Sequence, residues 1–133
     1  MFSLPSQLGP ILVATSHKWG ELVCILIERF SVPFLLAQTH ASALQVINST
    51  SLRGIILDGD WAIANGQDLP SVFEVVQHTI PTVTMMRNVR TLFHTVYHPP
   101  FHQFCTIPFD VEELEVRIIR SGMLKNRKLE TKG

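Results

Sequence analysis

The sequence has no surplus of charge of either sign: eleven Lys and Arg residues stand against eleven Asp and Glu in 133 positions. A neutral chain has no overall field with which to recruit DNA, RNA or an anionic membrane surface, so neither nucleic acid nor membrane is expected as a partner. Cysteine is scarce. Cys24 and Cys105 each sit among apolar residues, in LVCILI and FHQFCTI, where small buried thiols are common and no disulfide framework is implied. That usage suits a reducing cytoplasm. Long hydrophobic runs are missing too, since the longest, LVCILI, is far too short to span a bilayer. The first ten residues lack a basic start and contain Pro5 and Pro10, so no signal peptide is expected. There is no internal repeat. No glycine-rich turn follows the first apolar run, where TSHKWG contains only Gly20, and a nucleotide phosphate therefore has no cradle there.

What the chain does contain is an alternation of short aliphatic runs with segments of helical period, the order expected of a parallel sheet wrapped by helices. ILVAT (11–15) reads as the first strand. KWGELVCILIERF (18–30) follows as a helix with Trp19, Leu22, Val23, Leu26 and Phe30 at core spacing. VPFLLAQ is the second strand, HASALQVINS the second helix, and LRGIILD a third strand apolar on both faces, as a central parallel strand must be. GDWAIANGQDLP is read as a loop, with Asn65-Gly66 as a turn and Asp68 as the cap of a third helix that has Pro70 in its first turn and runs on through SVFEVVQHT. IPTVTMM is the fourth strand. NVRTLFHTVYH is the fourth helix, ended by Pro99-Pro100. FHQFCTI is the fifth strand, and DVEELEVRIIRSGML the fifth helix, capped by Asp110 with Glu113 three residues on. Residues 9–124 therefore form one domain, with 125–133 as a polar tail or linker.

Five such alternations indicate a doubly wound, flavodoxin-like (βα)5 sandwich with strand order 2-1-3-4-5, whose function sits at the carboxyl ends of the strands. Those ends hold Thr15 and Ser16, Asp58, Met86 and Ile107. At this point the chain resembles the response-regulator receiver domain over nearly its whole length. The resemblance is carried by Asp58 at the end of an aliphatic strand with Asn65-Gly66 seven and eight residues on, and by TIPFDVEEL, which is similar to the family's TKPFDxEEL.

The resemblance implies phosphoryl transfer onto Asp58, and an acyl phosphate adds about −1.5 to −2 charges that cations must neutralise. In the family two acids after the first strand hold Mg²⁺, which demands hard oxygen ligands; here those positions are Thr15 and Ser16. The family's lysine before the proline is Ile107, and its switch hydroxyl after the fourth strand is Met86, whose thioether donates nothing. Asp60 is the one nearby residue able to replace a metal ligand. The expected reading is a pseudo-receiver with weak or absent Mg²⁺ binding, no cofactor, no catalysis, and Asp58 and Asp60 at a solvated loop entrance. On that reading Asp58→Asn is expected to be neutral or slightly stabilising, since an unneutralised carboxylate beside Asp60 costs free energy. Two alternatives stay open: a working phosphoacceptor receiver, and a small-ligand or metal-binding flavodoxin-like domain. For the latter, His94 and His98 lie at i and i+4, but Pro99-Pro100 turns the chain before His102 and the strand buries Cys105, so no metal site is expected.

Protein contact is the positive function expected. Cys24 and Ile25 extend the apolar arc of the first helix beyond what covers a sheet. In the fifth helix Val111, Leu114 and Ile118 serve the core, while Val116, Ile119 and Met123 repeat at i, i+3 and i+7 on another side. By the resemblance, that second line lies on the face of the fourth helix, fifth strand and fifth helix through which receivers pair. It implies a homodimer, or contact with an attached output domain.

Overall fold

The computed structural model describes residues 9–64, 80–87 and 102–124. Its elements follow the chain as β1 (Ile11–Ala14), α1 (Trp19–Glu28), β2 (Phe34–Ala37), α2 (His40–Ser49), β3 (Gly54–Asp58), α3 (Gly59–Ala64), β4 (Thr82–Met86), β5 (His102–Thr106) and α4 (Val111–Ser121). The strands form one sheet in the order β2-β1-β3-β4-β5, every neighbouring pair parallel. This is the doubly wound, flavodoxin-like arrangement read from the sequence. The expected third and fourth helices, with Asn65-Gly66, Asp68, His94 and His98, fall outside the described residues, as does the tail.

Strand pleating divides the core in two, because successive side chains point to opposite faces. Ile11 and Val13 of β1, Ile56 of β3, Val83 and Met85 of β4 and Cys105 of β5 pack on one side with residues of α1 and α4. Leu12 and Ala14, with Ile55 and Leu57, pack on the other side with α2 and α3. Central strands buried on both faces explain why LRGIILD lacks the polar alternation of a one-sided sheet.

Helix boundaries show both the reach of the sequence reading and its limit. α2 is capped by Thr39, whose hydroxyl accepts from the Ser42 N–H in a capping box. Asp110 caps α4 as expected, accepting from the Glu112 N–H at 3.0 Å. The far end of α4 differs from expectation. The helix stops at Ser121, Gly122 turns the chain at φ 93°, and its N–H bonds the carbonyl of Ile119. This is the left-handed helix ending that glycine favours, after which an apolar residue folds back onto the helix. Met123, beyond the turn, no longer shares the helical phase of Val116 and Ile119. It is only 1% exposed, and it lies so close over β3 that a Cβ on Gly54 would fall 2.6 Å from the Met123 Cβ. The second apolar line expected on this helix is therefore broken: Met123 is core, Ile119 packs against the core, Val111 is exposed rather than buried, and Val116 is 44% exposed.

A second correction concerns α1. Leu22, expected in the core, is 61% exposed, and Cys24, expected on the outer arc, is buried. Gly20 supplies the reason. A side chain there would meet Thr15 Cγ2 at 2.7 Å and Leu36 Cδ1 at 3.2 Å, so the helix rolls onto its glycine and carries Cys24 and Ile27 inward. Leu22 and Ile25, the latter 58% exposed, form the outward face. Among the described residues no helix is long and apolar enough to cross a membrane.

Candidate functional site

Asp58 closes β3 and is 6% exposed. Both of its oxygens are engaged. Oδ2 accepts the Thr15 hydroxyl at 2.7 Å, and Oδ1 accepts the Trp61 N–H at 3.1 Å. Thr15 follows β1, which pairs with β3 through Ala14 and Leu57, so parallel register brings the two side chains together. The Thr15 oxygen also accepts the His17 N–H at 3.0 Å. Its donor and one of its lone pairs are thus committed within the protein.

The segment read as a loop entrance is instead the first turn of α3. Asp is a favoured residue before a helix because its carboxylate satisfies an orphan N–H of the first turn, and Asp58 does this for Trp61. DGDW was legible in those terms, but the turn signal at Asn65-Gly66 led to a loop. Asp60 stands on the same turn, and its Oδ2 accepts the Arg87 N–H at 3.0 Å, tying α3 to the end of β4. The expectation for Asp58→Asn assumed a carboxylate without compensation, and this geometry gives it hydrogen-bond donors. The carboxylate is not uncompensated: it holds two donors, and charged acceptors make the stronger hydrogen bonds.

Met86 and Ile107 bring apolar side chains to the ends of the last two strands. Met86 is buried and its side chain lies over Gly59, where a Cβ would fall 2.5 Å from Met86 Cγ. The Ile107 N–H bonds the Met86 carbonyl at 3.1 Å, and Ile107 packs against the core. Phe109, two residues on, meets Trp19 edge to face at 6.0 Å, joining the start of α1 to the turn before α4. Ser16 is exposed. Thr15, Asp58, Asp60, Met86 and Ile107 are thus gathered at one end of the sheet, whereas Val116, Ile119 and Met123 belong to α4 and the turn after it.

Two residues of the site went unread in the sequence. The ring of His40, at the start of α2, stands edge-on to Trp61 with centroids 4.4 Å apart. Its Nε2 lies 2.9 Å from the Trp61 carbonyl. A carbonyl only accepts, so Nε2–H is the donor. Both contacts join segments distant in sequence, and no local pattern announces them.

Mg²⁺ wants near-octahedral hard oxygens and anionic charge. Here the Asp58 oxygens already hold Thr15 and Trp61, Asp60 holds Arg87, and neither Thr15 nor Ser16 adds charge. Among the described residues no three His, Cys, Asp or Glu side chains converge.

The sheet order, the two helical layers and an aspartate ending the central strand define the receiver-domain fold. Solved structures agree. The chain is similar to the signal receiver domain of an HD domain-containing protein from Pseudomonas fluorescens Pf-5, with 13% identity over 87% of this chain and 88% of that one and a TM-score of 0.70. It is similar to the N-terminal signal receiver domain of a two-component response regulator from Bacteroides fragilis, with 18% identity, 86% and 96% coverage and a TM-score of 0.61. It also matches the PhyR stress response regulator, with 16% identity over 91% of this chain and a TM-score of 0.67, spanning 46% of that protein. No family profile matches the sequence, and no curated protein matches it.

Proposed function

We propose that this chain is a receiver-fold signal-transduction module that acts through protein contacts and does not depend on phosphorylation of Asp58. The observation that carries the reading is the 2.7 Å bond from the Thr15 hydroxyl to Asp58, made at the position where the family has a metal-binding acid. Phosphorylation of an aspartate needs cations for the incoming charge. Here each Asp58 oxygen already accepts one hydrogen bond, a hydroxyl stands in place of an acid, and the aliphatic Ile107 in place of a lysine.

The module performs no catalysis of its own and works in the cytoplasm. Its partner is a protein, either a second copy or an output domain, and Leu22, Ile25, Val111 and Val116 supply apolar contact area on α1 and α4. The test is intact-mass measurement after incubation with acetyl phosphate and Mg²⁺. The mass of the wild type is expected to stay unchanged; addition of one phosphoryl group, lost in Asp58→Ala, would overturn the reading.

A further inference from the structure

The geometry points to a positioning role for Asp58: it is the hub of a latch that fixes α2 and α3 on the sheet. This deepens the proposed function by assigning the pocket a task other than chemistry, and it rests on that reading only for why the aspartate is not consumed by phosphorylation.

The latch is a continuous chain of polar contacts. His17 N–H donates to Thr15, Thr15 O–H donates to Asp58 Oδ2, and Trp61 N–H donates to Asp58 Oδ1. The carbonyl of Trp61 then accepts from His40 Nε2. Ends of β1 and β3 are thereby joined to the first turn of α3 and, through Trp61, to the first residue of α2. A second strap, from Arg87 N–H to Asp60 Oδ2, fastens the same turn to β4.

Three features make the chain a device and not a surface ornament. Thr15 is fully buried and Asp58 nearly so, so water does not readily replace a lost partner. The first turn of α3 is held from outside its own helix, by Asp58 accepting the Trp61 N–H and by Asp60 accepting the Arg87 N–H. Nε2–H is committed to Trp61, and His40 Nδ1 is buried with no hydrogen-bond partner among the described residues. The contact with Trp61 is then the hydrogen bond that orients this ring.

The latch makes ordered, directional predictions for amide hydrogen exchange in the full chain. Thr15→Val keeps the shape and removes the hydroxyl, so exchange at Trp61 and Ala62 should rise about tenfold or more, the loss expected for a bond to a buried charged acceptor. Asp58→Asn should act in the same direction, and the double variant should show less than the product of the two effects because both break one bond. Thr15→Ser should restore protection. His40→Phe keeps an aromatic ring against Trp61 but cannot donate; exchange at Ala43 should rise while Trp61, still held by Asp58, stays protected. If Thr15→Val does not fold, Thr15→Ser and His40→Phe decide alone. Unchanged exchange in Thr15→Val or His40→Phe, effects of Thr15→Val and Asp58→Asn that simply multiply, or equal loss at Ala43 and Trp61 in His40→Phe would overturn the latch. Phosphorylation of the wild type would sink the proposed function and leave these measurements to judge the latch separately.

Discussion

Met123 separates two accounts of the same residue, a contact seam or a piece of the core, and Met123→Ala decides between them. The substitution removes Cγ, Sδ and Cε from a side chain that is 1% exposed and packed over Gly54. Truncations of this kind cost about 2–5 kcal/mol, from lost transfer energy plus the cavity left behind. The lower half of that range applies, because Met123 lies beyond the helix end, where the chain can settle into part of the space left. For a domain of this size each kcal/mol moves Tm by about 3–4 °C, so a fall of roughly 6–14 °C is expected in thermal unfolding followed by circular dichroism. Val116→Ala, on the exposed side of α4, should stay within about 0.5 kcal/mol of wild type. A Met123→Ala protein that melts with the wild type, and that sedimentation velocity shows to have lost a self-association present in the wild type, would refute the core assignment.

Two further predictions rest on local features. Gly122 has φ 93° and open space around the position of a Cβ, so Gly122→Ala should destabilise by about 1–2 kcal/mol through backbone strain alone, a loss readable from the shift in urea midpoint; an unchanged midpoint would mean the turn relaxes. Burial, reinforced by Glu21, pushes the Cys24 thiol up to about 11, and burial, reinforced by Glu113, does the same for Cys105. The unfolded chain releases these protons at about 8.5, so their contribution to stability is whole below that pH and declines as pH rises through about 11. Urea melts between pH 7 and 10.5 should show a shallower decline in Cys24→Ala/Cys105→Ala than in wild type, and parallel declines would contradict the shifts.

Much of the architecture was legible in the order of the residues. Aliphatic runs of strand length alternate with helical periods, and connections in a doubly wound sheet obey few topologies, which is why the strand order, α2 and the Asp110 cap followed from local pattern. The alignment of Thr15, Asp58, Met86 and Ile107 at one end of the sheet followed as well, since each ends or follows a parallel strand. The losses occurred where pattern and phase part company. Periodicity assigned Met123 to a helix that Gly122 had already ended, and it could not register that Gly20 would roll α1 until Leu22 faced outward.

The sequence by itself determined which chemical groups meet at the strand ends, because the run of strands dictates which residues stand there. It also determined that Thr15 and Ser16 would follow the first strand and Ile107 the last. Only the tertiary structure decided what Asp58 does with its charge. Whether a buried carboxylate is a strain or an anchor depends on donors within about 3 Å. Here those donors come from Thr15, just after another strand, and from the backbone of Trp61, whose carbonyl in turn accepts a hydrogen bond from His40. Such contacts are set by register and packing across the sheet, and composition and spacing along the chain contain no record of them.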